Sequence, residues 1–261
     1  MKIDLSGKVG MVTGAGAGIG RHLALTFARE GVRPVAIDRS DEALDSLKGE
    51  FDRLGLEGLF LSADVTDVAA VRKVVETVVQ EHHRIDILVN NAGVAVGGPV
   101  ETLPEDRWDL NFDVNTKGTF LMSQAVIPQM KKQRSGRIIN ASSFAAIVPS
   151  TGGSAYAASK AAVVSFTSVL AGELGPWDIT VNCYAPGMVP TGMNNFAKLP
   201  PETAKLLLDT LTLRRWETPE DVGNLVCFLA SDLASYITGS LIDVSGGKLA
   251  TQRPYAAYDQ A

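Results

Sequence analysis

The sequence predicts an α/β fold: one domain, spanning residues 1–261, in which a doubly wound parallel sheet of seven strands is flanked by helices. Short apolar runs alternate along the chain with longer stretches of helical period. The short runs are apolar throughout, as expected of strands that helices cover on both faces. No repeat, low-complexity segment or linker divides the chain. Strict alternation of strands and helices is typical of a parallel sheet.

Seven short runs are the strand candidates. Each is apolar and is followed by glycine or polar residues, which end a strand. They cover residues 9–14, 33–38, 58–63, 85–90, 136–142, 179–184 and 240–245.

Helical stretches lie between these runs. The clearest covers 67–82, where valines three and four positions apart share one face. Asp67 is expected to cap its N-terminus, with Thr66 as the alternative. Further helices are expected over 105–132 and 154–166.

Two segments interrupt the alternation. Residues 188–215 form a long insertion after the sixth strand and are a candidate substrate lid. Residues 248–261 form a C-terminal tail. Because free apolar tails rarely hold order, we expect Pro254, Tyr255 and Tyr258 to pack on a neighbouring subunit.

Composition excludes several classes of protein. Hydrophobic residues make up 46% of the chain and charged residues 20%, which suits a large core. The net charge of −5 argues against a nucleic-acid partner. No apolar run reaches the length of a membrane span. The N-terminus enters the first strand without an apolar signal core, so we expect a soluble, cytoplasmic protein.

The two cysteines, Cys183 and Cys227, are expected to be free, buried thiols and not a disulfide. Neither has a partner at metal-ligand spacing, and no metal site is expected.

A glycine-rich turn joins the first strand to a helix. The stretch "TGAGAGIG" places Gly14, Gly16, Gly18 and Gly20 where backbone can approach a phosphate and a helix N-terminus can bind it. A simple tight turn is the alternative. The strand before the turn and the helix after it favour dinucleotide binding.

The next strands also end in candidate ligand groups. Asp38 ends the second strand, where a carboxylate can accept both hydroxyls of an adenosine ribose. It could instead cap the following helix, although Ser40 can do so. Asp64 follows the third strand as a candidate for the adenine edge or as a turn residue. Asn91, Ala92 and Gly93 follow the fourth and let a loop pass close to a flat ligand.

A phenol and an ammonium lie four residues apart at Tyr156 and Lys160, on one face of a helix. A charge about 4 Å away at a dielectric of about 20 favours the phenolate by roughly 4 kcal/mol. Desolvation opposes this effect. We expect a net lowering of the Tyr156 pKa towards the range of a general acid/base. The alternative is a surface pair without a role.

These motifs together resemble the short-chain dehydrogenase/reductase family over residues 6–247. The resemblance rests on "TGAGAGIG", "NNAG", "VNTKG", "NASS", "YAASK" and "PGMVPT" in this order. It implies a Rossmann-type sheet and a nicotinamide-dependent oxidoreductase.

The resemblance also implies four catalytic residues. Tyr156 and Lys160 match the family's Tyr-x-x-x-Lys, and Asn115 matches its helical Asn. The serine is Ser142 or Ser143, and the family's usual spacing to the tyrosine favours Ser143. Lys160 is implied to bond the nicotinamide ribose, and Asn115 to anchor a water that relays protons.

The implied cofactor contacts extend to the loop after the sixth strand, where the backbone of Val189 and the hydroxyl of Thr191 would hold the carboxamide. Thr191 could alternatively cap the lid. The expected cofactor-binding set is Gly14, Gly18, Ile19, Gly20, Asp38, Asp64, Val65, Asn91, Ala92, Gly93, Tyr156, Lys160, Pro186, Gly187, Val189 and Thr191. Asp38 favours NAD over NADP, although the guanidinium of Arg39 could bind the phosphate that distinguishes NADP.

The expected substrate is a small secondary alcohol, diol or polyol and its ketone. The expected pocket residues are apolar or uncharged polar: Val94, Val96, Ala145, Ser150, Thr151, Gly153, Pro186, Gly187, Asn194 and Phe196. The alternatives are a 3-oxoacyl thioester on a carrier protein, and a dinucleotide-sensing protein without turnover. The resemblance implies a homotetramer or homodimer through 105–132 and 219–245.

Overall fold

A computed structural model describes residues 3–194 and 196–259. Within these residues seven strands form one parallel sheet in the order β3-β2-β1-β4-β5-β6-β7. The strands are β1 (Val9–Thr13), β2 (Arg33–Asp38), β3 (Leu59–Ser62), β4 (Ile87–Asn90), β5 (Gly136–Ala141), β6 (Ile179–Ala185) and β7 (Leu241–Asp243). Every strand ends within two residues of its predicted bounds, and the predicted fold class is confirmed.

Eight α-helices lie in the same described ranges. They are α1 (Gly18–Arg29), α2 (Asp41–Leu54), α3 (Val68–His82), α4 (Glu105–Phe112), α5 (Gly118–Gln133), α6 (Ser154–Leu174), α7 (Pro201–Leu208) and α8 (Pro219–Ala230). The cap prediction for α3 is confirmed, because the Asp67 carboxylate accepts from the N–H groups of Ala69 and Ala70.

Helices cover both faces of the sheet. Met11 and Val12 are neighbours on β1 and are both fully buried, but they belong to different apolar clusters. Val12 packs with residues of α1, α2 and α8, and Met11 packs with residues of α3, α5 and α6. The alternation of side chains along a strand places one cluster on each face.

The winding of the sheet reverses between β1 and β4. Strands β2 and β3 extend to one side of this pair and β5, β6 and β7 to the other. Val12 is in register with Val89, so both strands end at the same edge. In sheets of this kind the crevice at the carboxyl ends of such a pair is where ligands bind.

The helix predicted over 105–132 is confirmed as one continuous helical stretch, but an unpredicted π-helical turn interrupts its α-helical pattern. α4 ends at Phe112, a π-helical turn covers Asp113–Lys117, and α5 follows. Asn115 lies fully buried in this turn, and its side chain bonds the backbone of Val94. A π turn inserts one extra residue without breaking the helical pattern, so periodicity cannot detect it.

The predicted insertion 188–215 contains a 3-10 turn, Phe196–Lys198, and α7. The ring of Phe196 stacks on Trp216 with centroids 5.5 Å apart. This stack ties the insertion to the segment that precedes α8.

The tail folds back on its own chain. The Tyr258 hydroxyl donates to the carbonyl oxygen of Thr212 (2.9 Å), and the guanidinium of Arg214 lies 5.1 Å from the Tyr258 ring. Pro254 is buried within the chain, whereas Tyr255 is 40% exposed. These contacts lie within one chain, and the packing of Pro254, Tyr255 and Tyr258 on a neighbouring subunit stays a prediction.

Candidate active site

Two clefts that share a wall open at the carboxyl edge of the sheet. The main cleft is lined by Gly14, Ala17, Gly18, Ile19, Asp38, Asn91, Ala92, Gly93, Ala141, Ser142, Ser143, Tyr156, Lys160, Tyr184, Pro186, Gly187, Val189, Thr191, Gly192, Met193 and Asn194. The adjoining cleft is lined by Gly14, Asp38, Arg39, Ala63, Asp64, Val65, Ala92, Gly93, Val94 and Val114. All the predicted cofactor-binding residues line one of the two, except Gly20, which lies behind the glycine turn.

The glycine turn is built for close approach of backbone. Gly14 has a φ of 65°, in the region that favours glycine. A Cβ at Gly20 would lie 2.1 Å from the carbonyl oxygen of Gly14. α1 follows Ala17, which gives the helix no side-chain cap, so its N-terminal N–H groups are available to an anion. The turn and helix end fit the pyrophosphate of a dinucleotide.

Hydrogen bonds join the ends of β1 and β4 beneath this turn. The Thr13 hydroxyl accepts from the N–H groups of Asn91 and Ala92, both at 3.0 Å. The Asn91 amide donates to the carbonyl oxygen of Thr13 and accepts from the Tyr184 hydroxyl (3.3 Å). Asn91 therefore fixes the floor of the main cleft.

Asp38 borders both clefts. One carboxylate oxygen accepts from the N–H of Gly16 (2.9 Å) and the other from the N–H of Ser40 (3.0 Å). The Ser40 hydroxyl caps α2 by accepting from the N–H of Ala43. Asp38 is thus held in place without serving as that cap, and its carboxylate fits the hydroxyls of a ribose.

Asp64 has the contacts of a turn residue, and its contact with an adenine edge stays a prediction. It lines the adjoining cleft with Val65, and its carboxylate also accepts from the N–H (2.8 Å) and hydroxyl (2.7 Å) of Thr66. These hydrogen bonds lower the pKa of Asp64. The residue therefore carries a negative charge at the edge of that cleft.

The two serines after β5 have different partners. The Ser142 hydroxyl donates to the carbonyl oxygen of Lys160 (3.0 Å). The Ser143 hydroxyl accepts from the N–H of Ala145 and interacts with the phenol of Tyr156. This geometry supports Ser143 as the serine that faces a substrate.

The predicted lowering of the Tyr156 pKa is wrong for this structure. Burial raises the pKa of the phenol, and the interaction with Ser143 opposes the rise. The Lys160 ammonium lies 5.9 Å from the centre of the Tyr156 ring and donates to the carbonyl oxygen of Ala141 (2.8 Å). The Lys160 ammonium is thus hydrogen-bonded to backbone, and desolvation has the larger effect on the pKa of Tyr156.

Lys160 itself is 4% exposed, and burial lowers its pKa to about 8. Gly93 lies next to it, since a Cβ at Gly93 would be 3.3 Å from the Lys160 nitrogen and 3.1 Å from the side-chain oxygen of Asn115. The side chain of Asn115 bonds both backbone groups of Val94 and the Ser159 hydroxyl. Asn115 thus lies directly behind the cleft wall, and its water relay stays a prediction.

The loop after β6 closes the main cleft on the side of the insertion. The carbonyl oxygen of Val189 accepts from the Asn194 amide (2.8 Å). The Thr191 side chain approaches the glycine turn, because a Cβ at Gly18 would lie 3.4 Å from it. Its hydroxyl also accepts from the N–H of Met193 (3.4 Å), which agrees with a turn-capping role.

The predicted pocket residues separate into two groups. Pro186, Gly187 and Asn194 line the main cleft and Val94 lines the adjoining one. The remaining predicted residues, all within the described ranges, line neither cleft: Val96, Ala145, Ser150, Thr151, Gly153 and Phe196.

Sequence reasoning missed two buried groups near the loop after β6. Tyr184 lines the main cleft, and burial raises the pKa of its phenol. Glu217 is 6% exposed and accepts from the N–H of Gly187 (2.6 Å). Tyr184 lies in an apolar run and Glu217 in a charged one, so neither position is distinguished in the sequence.

Both cysteines are free and buried, as predicted. Burial raises the pKa of Cys183 to about 11 and that of Cys227 to about 12. Among the described residues, no helix is long and apolar enough to cross a membrane.

Comparisons with known proteins show the family of the chain. The family model for short chain dehydrogenases matches residues 8–200. The chain is 44% identical to a 3-oxoacyl-[acyl-carrier-protein] reductase of Thermotoga maritima, over 93% of this chain and 98% of that protein. It is 39% identical to the cyclohexanol dehydrogenase of Rhodococcus sp. strain TK6, over 94% and 97% of the two chains.

A solved structure gives the same result. The structure of a candidate NAD(P)-dependent gluconate 5-dehydrogenase from Beutenbergia cavernae, which has NADP bound at low occupancy, superposes on this chain with a TM-score of 0.90. The two sequences are 35% identical, and the match covers 95% of this chain and 99% of that one. The chain therefore belongs to the short-chain dehydrogenase family and is an NAD(P)-dependent oxidoreductase that acts on CH–OH groups and ketones.

Proposed function

We propose that the protein interconverts a small secondary alcohol, diol or polyol and its ketone, with NAD(H) as cofactor and Tyr156 as general acid/base. The observation that carries this proposal is the shared cleft: Ser143, Tyr156 and Lys160 line the same space as the glycine turn and Asp38. When bound, the nicotinamide supplies or accepts the hydride. The protein holds the substrate oxygen and moves its proton.

Each catalytic side chain has a role in this proposal. The Ser143 hydroxyl holds the substrate oxygen beside the phenol of Tyr156. Because burial raises the pKa of Tyr156, the phenol keeps its proton at neutral pH and can donate it to a ketone. Lys160, fixed to the Ala141 carbonyl, is assigned to the nicotinamide ribose, and Asn115 to the water relay.

The choice of NAD(H) rests on Asp38. Its carboxylate is fixed by two backbone N–H groups, at the border of the two clefts. A hydroxyl can donate to it, whereas a phosphate would meet a like charge. Arg39 lines the adjoining cleft and opposes this preference, since its guanidinium could meet a phosphate. The Beutenbergia cavernae structure contains NADP, so the cofactor must be measured for this chain.

A 3-oxoacyl thioester is the second candidate substrate, and the 44% identity to the Thermotoga maritima reductase favours it. An acidic carrier protein would need a basic docking surface. Near the end of α5, Arg134 donates to the carbonyl oxygen of Pro176 and the Lys131 ammonium lies 3.7 Å from the Trp177 ring. Both cations thus engage their own chain, and we rank the small alcohol first.

The test is a panel of substrates followed by the absorbance of NADH and of NADPH. It contains cyclohexanone, a keto polyol and acetoacetyl-CoA. We expect the highest kcat/KM with a small ketone and NADH. A higher value with the thioester would transfer the assignment to the second candidate. Binding of dinucleotide with no turnover of any compound would contradict both, and would support a sensing protein.

The homotetramer and the cytoplasmic location remain proposals. Exposed apolar side chains on the expected interface segment 105–132 support assembly: Trp108 is 40% exposed and Phe120 42%. A monomer mass in light scattering would contradict it.

A further inference from the structure

Glu217 lies between the insertion and α8, and its side chain reaches the loop after β6. Its carboxylate accepts from the N–H of Gly187 at 2.6 Å, and its own N–H donates to the carbonyl oxygen of Met188 at 3.2 Å. Glu217 is 6% exposed. Glu217 thus holds backbone groups of two consecutive residues of this loop.

The other side of the loop is equally confined. A Cβ at Gly187 would lie 2.9 Å from the Cα of Ser245, so the loop packs directly against the segment after β7. Pro186, Gly187 and Val189 line the main cleft. A shift of the Glu217 carboxyl group would therefore be transmitted to the cleft wall.

The surroundings of Glu217 are mostly acidic. Asp221 on α8 and Asp243 on β7 disfavour a charge on Glu217, while Arg215 favours it. Arg215 is paired with Asp221 through two contacts of 2.7 and 2.8 Å. The phenol of Tyr184, on β6, also interacts electrostatically with the Glu217 carboxyl group, which contributes to the raised pKa of Tyr184.

The second carboxyl oxygen of Glu217 is buried and has no hydrogen-bond partner among the described residues. Burial raises the pKa of Glu217 to about 8, with smaller contributions from the two aspartates. The hydrogen bond from Gly187 opposes this rise. The group therefore changes its protonation near neutral pH.

We propose that Glu217 is a positioning residue, whose buried carboxyl group holds the loop Pro186–Val189 in place for the nicotinamide end of the dinucleotide and releases it on losing its proton. The closed loop keeps Glu217 buried and protonated, so a rise in pH favours the open loop with a hydrated carboxylate. This inference rests on the proposed role of the loop in binding nicotinamide.

The experiment measures dissociation constants for NADH and for ADP-ribose, which lacks the nicotinamide, between pH 6 and pH 9.5. Three variants are compared with the unmutated protein: Glu217→Gln, Glu217→Ala, and Glu220→Gln as an exposed acidic control three residues later, in the first turn of α8. Loss of a hydrogen bond to a carboxyl group predicts an NADH affinity weaker by about tenfold in Glu217→Ala at pH 7, with ADP-ribose affinity unchanged.

Glu217→Gln keeps the acceptor but cannot ionise. It should bind NADH as the unmutated protein does at pH 7 and should not lose affinity above pH 8, where the unmutated protein and Glu220→Gln do. A Glu217→Gln profile identical to that of the unmutated protein would overturn the proposal, as would equal losses of NADH and ADP-ribose binding in Glu217→Ala. If Glu217→Ala does not fold, the Glu217→Gln profile decides.

The proposed function fails differently. If the loop does not bind nicotinamide, the unmutated protein itself will bind NADH and ADP-ribose equally well.

Discussion

Substitution of Gly20 tests the glycine turn most sharply. In Gly20→Ala the new Cβ would lie 2.1 Å from the carbonyl oxygen of Gly14 and 2.5 Å from the side-chain nitrogen of Asn91. Real Cβ atoms essentially never come within 3.0 Å of another heavy atom, so the turn and α1 must separate by about 0.9 Å. The obstacle is backbone and cannot rotate away.

Overpacking of this kind costs about 1–3 kcal/mol of the free energy of unfolding. For a chain of this size each kcal/mol corresponds to about 2–4 °C, so we expect the melting temperature to fall by about 2–12 °C. The moved atoms belong to the turn that is expected to bind the pyrophosphate. The substitution should therefore reduce the free energy of NADH binding by more than it reduces the free energy of unfolding.

The assay is a thermal melt and an NADH titration, with Gly49→Ala as the matched control. Gly49 lies in α2, and a Cβ there would meet no heavy atom within 4 Å. The control should keep its NADH affinity and gain up to about 1 kcal/mol, because alanine favours a helix. If Gly20→Ala melts and binds NADH like the unmutated protein, the account of the turn is wrong.

Three further predictions concern charge and burial. The unmutated protein should prefer NADH to NADPH by at least about tenfold in kcat/KM, equivalent to 1.4 kcal/mol. Asp38→Ala should reduce the ratio of the two kcat/KM values. Equal kcat/KM with both cofactors in the unmutated protein would mean that Arg39, and not Asp38, determines the cofactor preference. Burial raises the pKa of Glu217 from 4.5 to about 8, so its contribution to stability is present below pH 4.5 and is lost as the pH rises to about 8. The melting temperature of the unmutated protein should therefore fall relative to that of Glu217→Gln between pH 5 and pH 8, and a constant difference would count against the shift. Native protein should not react with a thiol reagent at pH 7.5, because Cys183 and Cys227 are buried with raised pKa values, and both should react after denaturation; rapid labelling of the native protein would contradict this.

Much of the site could be predicted because its residues follow strand ends. The glycine turn follows β1, Asp38 ends β2 and Asn91 follows β4. In a parallel sheet these strand ends meet at one edge, so residues that follow strands in the sequence are expected to lie close together in space. Tyr156 and Lys160 could be paired because helical geometry places residues four apart on one face.

Other features depend on contacts between segments far apart in the sequence. Asn115 lies in a π turn, and its side chain hydrogen-bonds the backbone of Val94, 21 residues earlier in the chain. The bond between Glu217 and Gly187 spans 30 residues. The pKa of Tyr156 depends on where the Lys160 ammonium points, which helical spacing does not determine. Such effects require the folded packing.

In the proposed reaction Tyr156 moves the proton while a dinucleotide stays bound in the shared cleft. The most direct measurement compares Tyr156→Phe with the unmutated protein, for NADH binding and for kcat with the best ketone of the panel. We expect kcat to fall by about 10²–10⁴-fold in Tyr156→Phe, with little change in NADH affinity. Turnover near that of the unmutated protein would contradict this role of Tyr156.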